Sequence, residues 1–297
     1  MIILFILGFC FLFFAFPYFR ILVLNIFNFV ILSIKDIISY VHHFKFNVCP
    51  SGKIICFSGL FGFGKTLSVV HHVVSLYKRY NGKRCFVNGK WRTQYIVILS
   101  NVSLKGVPFV PFTSLSQITD FAQCKDKLDG NDKYFVFLVL GDEFSTCLNS
   151  RSFKSNIDPI FLNTLVTCRH YAISLFYTSQ RFNLVDKLLR DVTFYVYQCK
   201  KVGRIELITK YDAYDVENAL NPSLLKPIFR GGFLIRDSDY NSYDTLAVVS
   251  NLIKYKNDPE DYSPENEIIN RIYQGQSNLS AVRRFSNRVR RNMNKKK

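Results

Sequence analysis

The chain has 297 residues, 48% of them hydrophobic, which is enough to bury a sizeable core and excludes wholesale disorder. Charged residues make up only 21%, yet 39 Lys+Arg against 22 Asp+Glu leave a formal net charge of +17. Such an excess is out of place in a soluble enzyme for small anionic metabolites. It points to polyanions, either nucleic acid or the anionic face of a membrane.

The N-terminal block reads as a membrane anchor, residues 1–45. Ile2 to Phe19 is a run of eighteen residues without a charge, rich in Phe, Leu and Ile. That is just enough for one helix across the hydrocarbon core, which takes about 20 residues. Arg20 interrupts, and Ile21 to Ile34 is apolar again apart from Asn25 and Asn28. Two arrangements fit: a helical hairpin turning near Pro17–Arg20, preferred here, or one span followed by an interfacial helix. No basic segment precedes the run and no A-x-A-like site follows it, which disfavours a cleaved signal peptide. Few buried soluble helices are this apolar all round. The basic flank after residue 34 favours a cytoplasmic remainder, with the chain in a host inner membrane.

From about residue 46 to 256 the pattern becomes a soluble α/β alternation. Lys53–Phe57 reads as a strand, Thr66–Tyr80 as a helix, and Arg84–Val87 and Tyr95–Ser100 as strands. Ser116–Lys127 reads as a helix, and the unbroken apolar run Tyr134–Leu140 as a strand buried on both faces. A helix over Ile160–His170 and a strand over Ala172–Thr178 follow, then β-like stretches at Phe194–Cys199 and Arg204–Thr209. Strands alternating with helices imply a mostly parallel sheet. Asn257–Glu267 reads as a linker, and Arg283–Lys297 as a basic tail, so residues 257–297 form a C-terminal appendage. The eight cysteines never form a CxxC pair and the five histidines lack zinc-ligand spacing. Several cysteines lie inside apolar runs, where a buried reduced thiol is expected.

The chemistry concentrates in three places. Gly59-Leu60-Phe61-Gly62-Phe63-Gly64-Lys65-Thr66 matches G-x-x-x-x-G-K-[ST], between a strand and a helix, where a phosphate-binding loop must stand. Gly59, Gly62 and Gly64 let the backbone curl so that successive N–H groups face phosphates, and the helix N-terminus adds partial positive charge. Lys65 is expected to reach the β- and γ-phosphates of ATP, and the Thr66 hydroxyl to ligate Mg²⁺. The run Phe135–Leu140 ends in Gly141-Asp142-Glu143, which places Asp142 at the carboxyl edge of the sheet to hold Mg²⁺ and Glu143 to act as general base. Tyr177-Thr178-Ser179-Gln180 closes the next strand, so that Gln180 can touch a γ-phosphate. Arg169, before that strand, and Arg190, beyond it, are the two candidates for an arginine finger given to a neighbouring subunit.

These motifs, in this order, resemble the FtsK–HerA superfamily of DNA-pumping P-loop ATPases, and most closely the Zot-like morphogenesis proteins of filamentous phages. The resemblance runs from Lys53 to Thr193 and takes in Ser100-Asn101, Ser150-Arg151 and Asp186–Asp191. It implies ATP hydrolysis with Mg²⁺, movement of viral single-stranded DNA during phage assembly, phage coat or assembly proteins as partners, and a ring-like homo-oligomer, a hexamer. The apolar segment comes first here, whereas many Zot-like proteins carry theirs after the ATPase domain. That order is closer to conjugative coupling proteins, whose large all-helical domain has no room in this chain. Two alternatives stand beside the ATPase: a non-hydrolysing membrane assembly protein switched by nucleotide, and a plasmid DNA-transfer ATPase. Lys65, Asp142 and Glu143, all intact, favour hydrolysis.

Overall fold

The computed structural model describes residues 1–112, 115–130, 132–143, 159–219 and 224–244. Ser150-Arg151, the linker and the basic tail lie outside the described residues. Along the chain run α1 (Ile2–Ala15), α2 (Pro17–Leu24), α3 (Ile26–His42), β1 (Ile54–Ser58), α4 (Lys65–Tyr80), β2 (Arg84–Val87), β3 (Lys90–Ser100), β4 (Ser103–Leu104) and β5 (Val110–Pro111). There follow α5 (Ser116–Asp129), β6 (Lys133–Gly141), α6 (Pro159–Val166), β7 (Ile173–Ser179), α7 (Lys187–Asp191), β8 (Tyr195–Val202), β9 (Ile205–Asp212), α8 (Ala213–Asn218), β10 (Phe229–Leu234), α9 (Asp237–Tyr240) and β11 (Tyr243–Asp244).

The chain divides into two compact units. The first comprises Met1–Val48 together with Arg84–Trp91. Its apolar block is three helices instead of a long span. α1 stops because Phe16 is extended (φ −116°, ψ 104°) and Pro17 begins the next helix, as a pre-proline residue disfavours the helical region. A second break, absent from the sequence expectation, falls at Asn25, whose amide donates back to the Ile21 carbonyl at 3.0 Å. No single helix among the described residues is long and apolar enough to cross a membrane; α2 and α3 qualify only as a pair, bent by 82°. Neither α2 nor α3 buries a residue, and Phe5, Phe14 and Phe27 are each more than three-quarters exposed. The unit ends in an aromatic cluster: His43 stacks on Phe86 at 4.2 Å, and Phe44 and Phe86 both pack edge-on to Trp91.

The second unit comprises Cys49–Lys83 and the residues from Arg92 onward. Its sheet runs β10-β9-β8-β1-β7-β6-β3, with β8, β1, β7, β6 and β3 parallel and β9 and β10 antiparallel. All of β7, and β6 from Phe135 to Gly141, are buried, because helices cover both faces. Alternation sorts β1 between the two cores. Ile54 and Cys56 join Phe121, Phe137, Leu175 and Tyr177 on the side of α5 and α6, while Ile55 and Phe57 join Val70, Val73, Leu138 and Phe176 on the side of α4. Each Ile, Leu, Val or Phe among them contributes about 1.5–3 kcal/mol on burial. The seven cysteines among the described residues form no disulfide, and all but Cys10 are buried, as expected of thiols in apolar runs. The helix expected over Ile160–His170 ends at Val166, and turns carry the chain to Ala172. The stretches beyond Val192 form the hairpin β8–β9, to which β10 adds a further antiparallel strand.

Candidate functional site

β1 delivers the glycine-rich segment to the carboxyl edge of the sheet, where the Gly59 N–H donates to the Ser179 carbonyl of β7 at 3.3 Å. Gly64 has φ +77°, a left-handed conformation that side chains resist, and a Cβ there would collide with the Glu206 carboxylate. No side chain caps α4 at Gly64, so the first-turn amides of the helix remain available to an anion. The Lys65 ammonium is exposed, resting 3.1 Å from the Leu60 carbonyl and 5.5 Å from the Phe61 ring centre.

The acidic pair meets the loop directly. The Thr66 hydroxyl donates to Asp142, 3.0 and 2.9 Å from its two oxygens. The Thr178 hydroxyl donates to Asp142 Oδ1 at 2.6 Å and accepts the Glu143 N–H at 2.8 Å. Asn101, past the end of β3, exchanges two bonds with the Asp142 backbone: its amide donates to the Asp142 carbonyl at 2.9 Å and its oxygen accepts the Asp142 N–H at 2.7 Å. Asp142 is thus held from α4, from β7 and from the residue that follows β3. Glu143 carries φ +50°, which costs a non-glycine residue roughly 1–2 kcal/mol. Loop, helix N-terminus and strand-end carboxylate lie together on one edge of a parallel sheet.

The fold is that of a P-loop NTPase.

No protein-family model matches the chain, and no curated protein matches it. Solved structures do. The chain is similar to the N-terminal domain of zonular occludens toxin from Neisseria meningitidis, at TM-score 0.43 and 20% identity over 65% of this chain and 100% of that one. It is also similar to the genome packaging NTPase B204 from Sulfolobus turreted icosahedral virus 2 in complex with ATPγS, at TM-score 0.35 and 11% identity over 62% of this chain and 98% of that one. EccC from Thermomonospora curvata, solved with a signal sequence peptide, matches at TM-score 0.36 and 9% identity, over 63% of this chain and 38% of that one.

Lys65, Thr66, Asp142 and Glu143 line one P-loop cavity of about 280 Å³. Three further lining residues are not legible in the sequence: Lys201 comes from the end of β8, and Tyr240 and Tyr243 from the segment after β10. Burial, with Asp142 adding to it, holds the Tyr243 hydroxyl above its ordinary range. Beneath the loop, Glu206 is fully buried, accepts the Ser68 hydroxyl at 2.9 Å, and leaves Oε2 without a hydrogen-bond partner among the described residues. Burial pushes its carboxyl up, against the pull of Ser68.

Gln180 follows Ser179, which is in register with Ser58, so it stands at the edge occupied by the P-loop. Neither arginine does. A Cβ on Gly52, just ahead of β1, would strike the Arg169 backbone, which puts Arg169 at the amino edge, a strand length of about 16 Å away. Arg190 lies at that same amino edge, in the helix leading to Phe194, whose N–H meets the Ile54 carbonyl. Its guanidinium is committed to Glu217 at 3.2 Å and to the carbonyls of Asn183 and Val185 at 2.9 and 3.2 Å. Within one chain, then, the geometry gives Arg190 a structural occupation and brings neither arginine to the phosphates.

Proposed function

We propose that this chain is a membrane-anchored P-loop ATPase that drives phage assembly and the export or packaging of viral single-stranded DNA. One observation carries the catalytic part: the Thr66 hydroxyl and the Asp142 carboxylate converge within 2.9 Å beside the phosphate loop, with Glu143 next in sequence. A hydroxyl and a single carboxylate at a phosphate site suit Mg²⁺, which keeps most of its remaining positions for water and phosphate oxygens. Thr66 and Asp142 would hold that ion, which supplies charge neutralisation to the phosphates when bound. The loop amides and the α4 N-terminus bind the phosphate chain, and Lys65 leaves the Leu60 carbonyl to join them. Glu143, exposed and fixed through its own N–H by Thr178, accepts a proton from the attacking water. Gln180 monitors the γ-phosphate from the neighbouring strand.

The polymer and the membrane rest on other grounds. The net charge of +17 suits a DNA substrate, and the motif resemblance supplies the viral setting, the assembly-protein partners and a ring of identical subunits. Exposed apolar faces on α1 to α3 suit insertion into the host inner membrane, with the NTPase unit in the cytoplasm. The test is ATP hydrolysis by the detergent-solubilised full chain, with and without single-stranded DNA. Wild type should turn over with DNA stimulation, and Glu143→Gln should bind ATP while losing most turnover. Equal turnover by wild type and Glu143→Gln would sink the assignment of the base. Nucleotide binding without any hydrolysis would favour the switch over the motor.

A further inference from the structure

β8 does not stop where β1 stops. Their pairing ends at Ser58 opposite Gln198, and β8 continues to Val202 before turning at Gly203 (φ +60°) into β9. The hairpin therefore overhangs the sheet edge alongside the P-loop. The Cys199 carbonyl lies 3.0 Å from where a Cβ on Gly59 would stand. Lys201 is on this overhang, in register with Glu206, and its ammonium lies 4.8 Å from the Tyr240 ring centre. An ammonium over an aromatic face is held by the ring quadrupole, and the charge of Lys201 also acts on the buried Glu206 carboxylate.

Tyr240 is itself tied down. The Phe233 ring stacks on His71 of α4 at 3.8 Å, and the same histidine meets Asp239 at 3.1 Å. Arg204 pairs with Asp237 at 2.8 Å, and β11 pairs with β4. Residues 233–244 thus form a strap fastened at both ends, with Tyr240 and Tyr243 facing the cavity that Lys65 and Lys201 share.

Charge decides what Lys201 is for. Asp142 and Glu143 line the same cavity, so each further phosphate brings negative charge toward two carboxylates. The loop amides and Lys65 serve the phosphates nearest the loop. Among the described residues, Lys201 is the other basic residue in the cavity lining. Resting on the nucleotide site argued above, we propose that Lys201 is a second phosphate-binding cation, contacting the terminal phosphate, through which the β8–β9 hairpin distinguishes nucleoside triphosphate from diphosphate.

The experiment measures binding of Mg²⁺-ATPγS and Mg²⁺-ADP to the full chain in detergent, for wild type, Lys201→Ala and Lys201→Arg. Lys201→Ala should weaken ATPγS binding about tenfold while changing ADP binding less than threefold, and Lys201→Arg should recover most of the loss. Retained ADP binding shows that the variant is folded. Unchanged ATPγS affinity, or equal losses for both nucleotides, overturns the assignment of Lys201 alone. Wild-type protein that binds neither nucleotide overturns the nucleotide site itself.

Discussion

Thr178→Val is the sharpest probe of how the acidic pair is set. The substitution keeps the β-branched shape and removes one hydroxyl, in a strand whose seven residues are all buried. That hydroxyl makes two bonds, donating to Asp142 at 2.6 Å and accepting from the Glu143 N–H at 2.8 Å. A hydrogen bond to a charged group is worth about 1.5–3 kcal/mol, and an orphaned N–H costs about 1–3 kcal/mol. Glu143 also spends roughly 1–2 kcal/mol to hold φ +50°, and the bond to Thr178 is what fixes its N–H there. With the bond gone, that residue relaxes toward ordinary backbone and its carboxylate leaves the position from which it takes a proton. The phosphate cradle and Lys65 are untouched. Steady-state ATP hydrolysis should therefore show kcat reduced about 10–100-fold, equivalent to ~1.4–2.8 kcal/mol. The KM for ATP should stay within about threefold, since ground-state binding is spared. Thr178→Ser restores the hydroxyl and should recover most of the rate. A Thr178→Val protein with wild-type kcat, or one whose loss lies wholly in KM, would refute the positioning of Glu143 through Thr178.

Lys65→Ala should weaken ATP binding by tenfold or more, read by fluorescent-nucleotide titration, because the loop loses its one side-chain cation. His72, packed among Phe57, Phe176 and Tyr197, has its pKa lowered by burial, and further by His71, from 6.5 to about 4. The unfolded chain then binds the extra proton between those values, so this contribution is complete above pH 6.5 and is lost progressively as pH falls toward 4. Thermal melts at pH 7 and pH 5 should differ by on the order of 2 kcal/mol in stability, and His72→Gln should flatten the difference. Removing residues 283–297, which carry eight basic residues and no acid, should weaken single-stranded DNA binding. The slope of log K against log[salt] should become shallower by about 0.7 per lost phosphate contact, with basal hydrolysis unchanged. Unaltered DNA affinity ends the tail's part in DNA binding.

What the sequence disclosed here is what is local. The loop from Gly59 to Thr66 and the pair Asp142-Glu143 are legible because their chemistry is fixed by spacing within a few residues and by an apolar strand on their amino side. Thr178 and Asn101 were in view only as parts of motifs, and their bonds to the acidic pair depend on which strands are neighbours, a matter of sheet order. The place of the arginines follows the same rule, and a finger given to a neighbouring subunit does not need to stand at its own chain's P-loop. Arg169 stands just before a strand, and in a parallel sheet that is the edge away from the ligand. Lys201, Tyr240 and Glu206 were silent because they belong to strands and turns where the alternation weakens, far along the chain from the loop they adjoin. Pro17 announces a break in the apolar block, whereas Asn25 reads as one polar residue among many.

Glu206 has a consequence for how such a chain can vary by descent. Its carboxyl fills the space that a side chain on Gly64 would need, while Gly232 lets the β10 backbone close on the Glu206 carbonyl from the other side. Shortening residue 206 would clear room at 64 but leave its φ of +77°, so alanine there would still be strained. Lengthening residue 232 would push the hairpin off the P-loop. Three positions far apart in the chain are therefore tied into one inherited set, and drift at any of them is answerable to the other two.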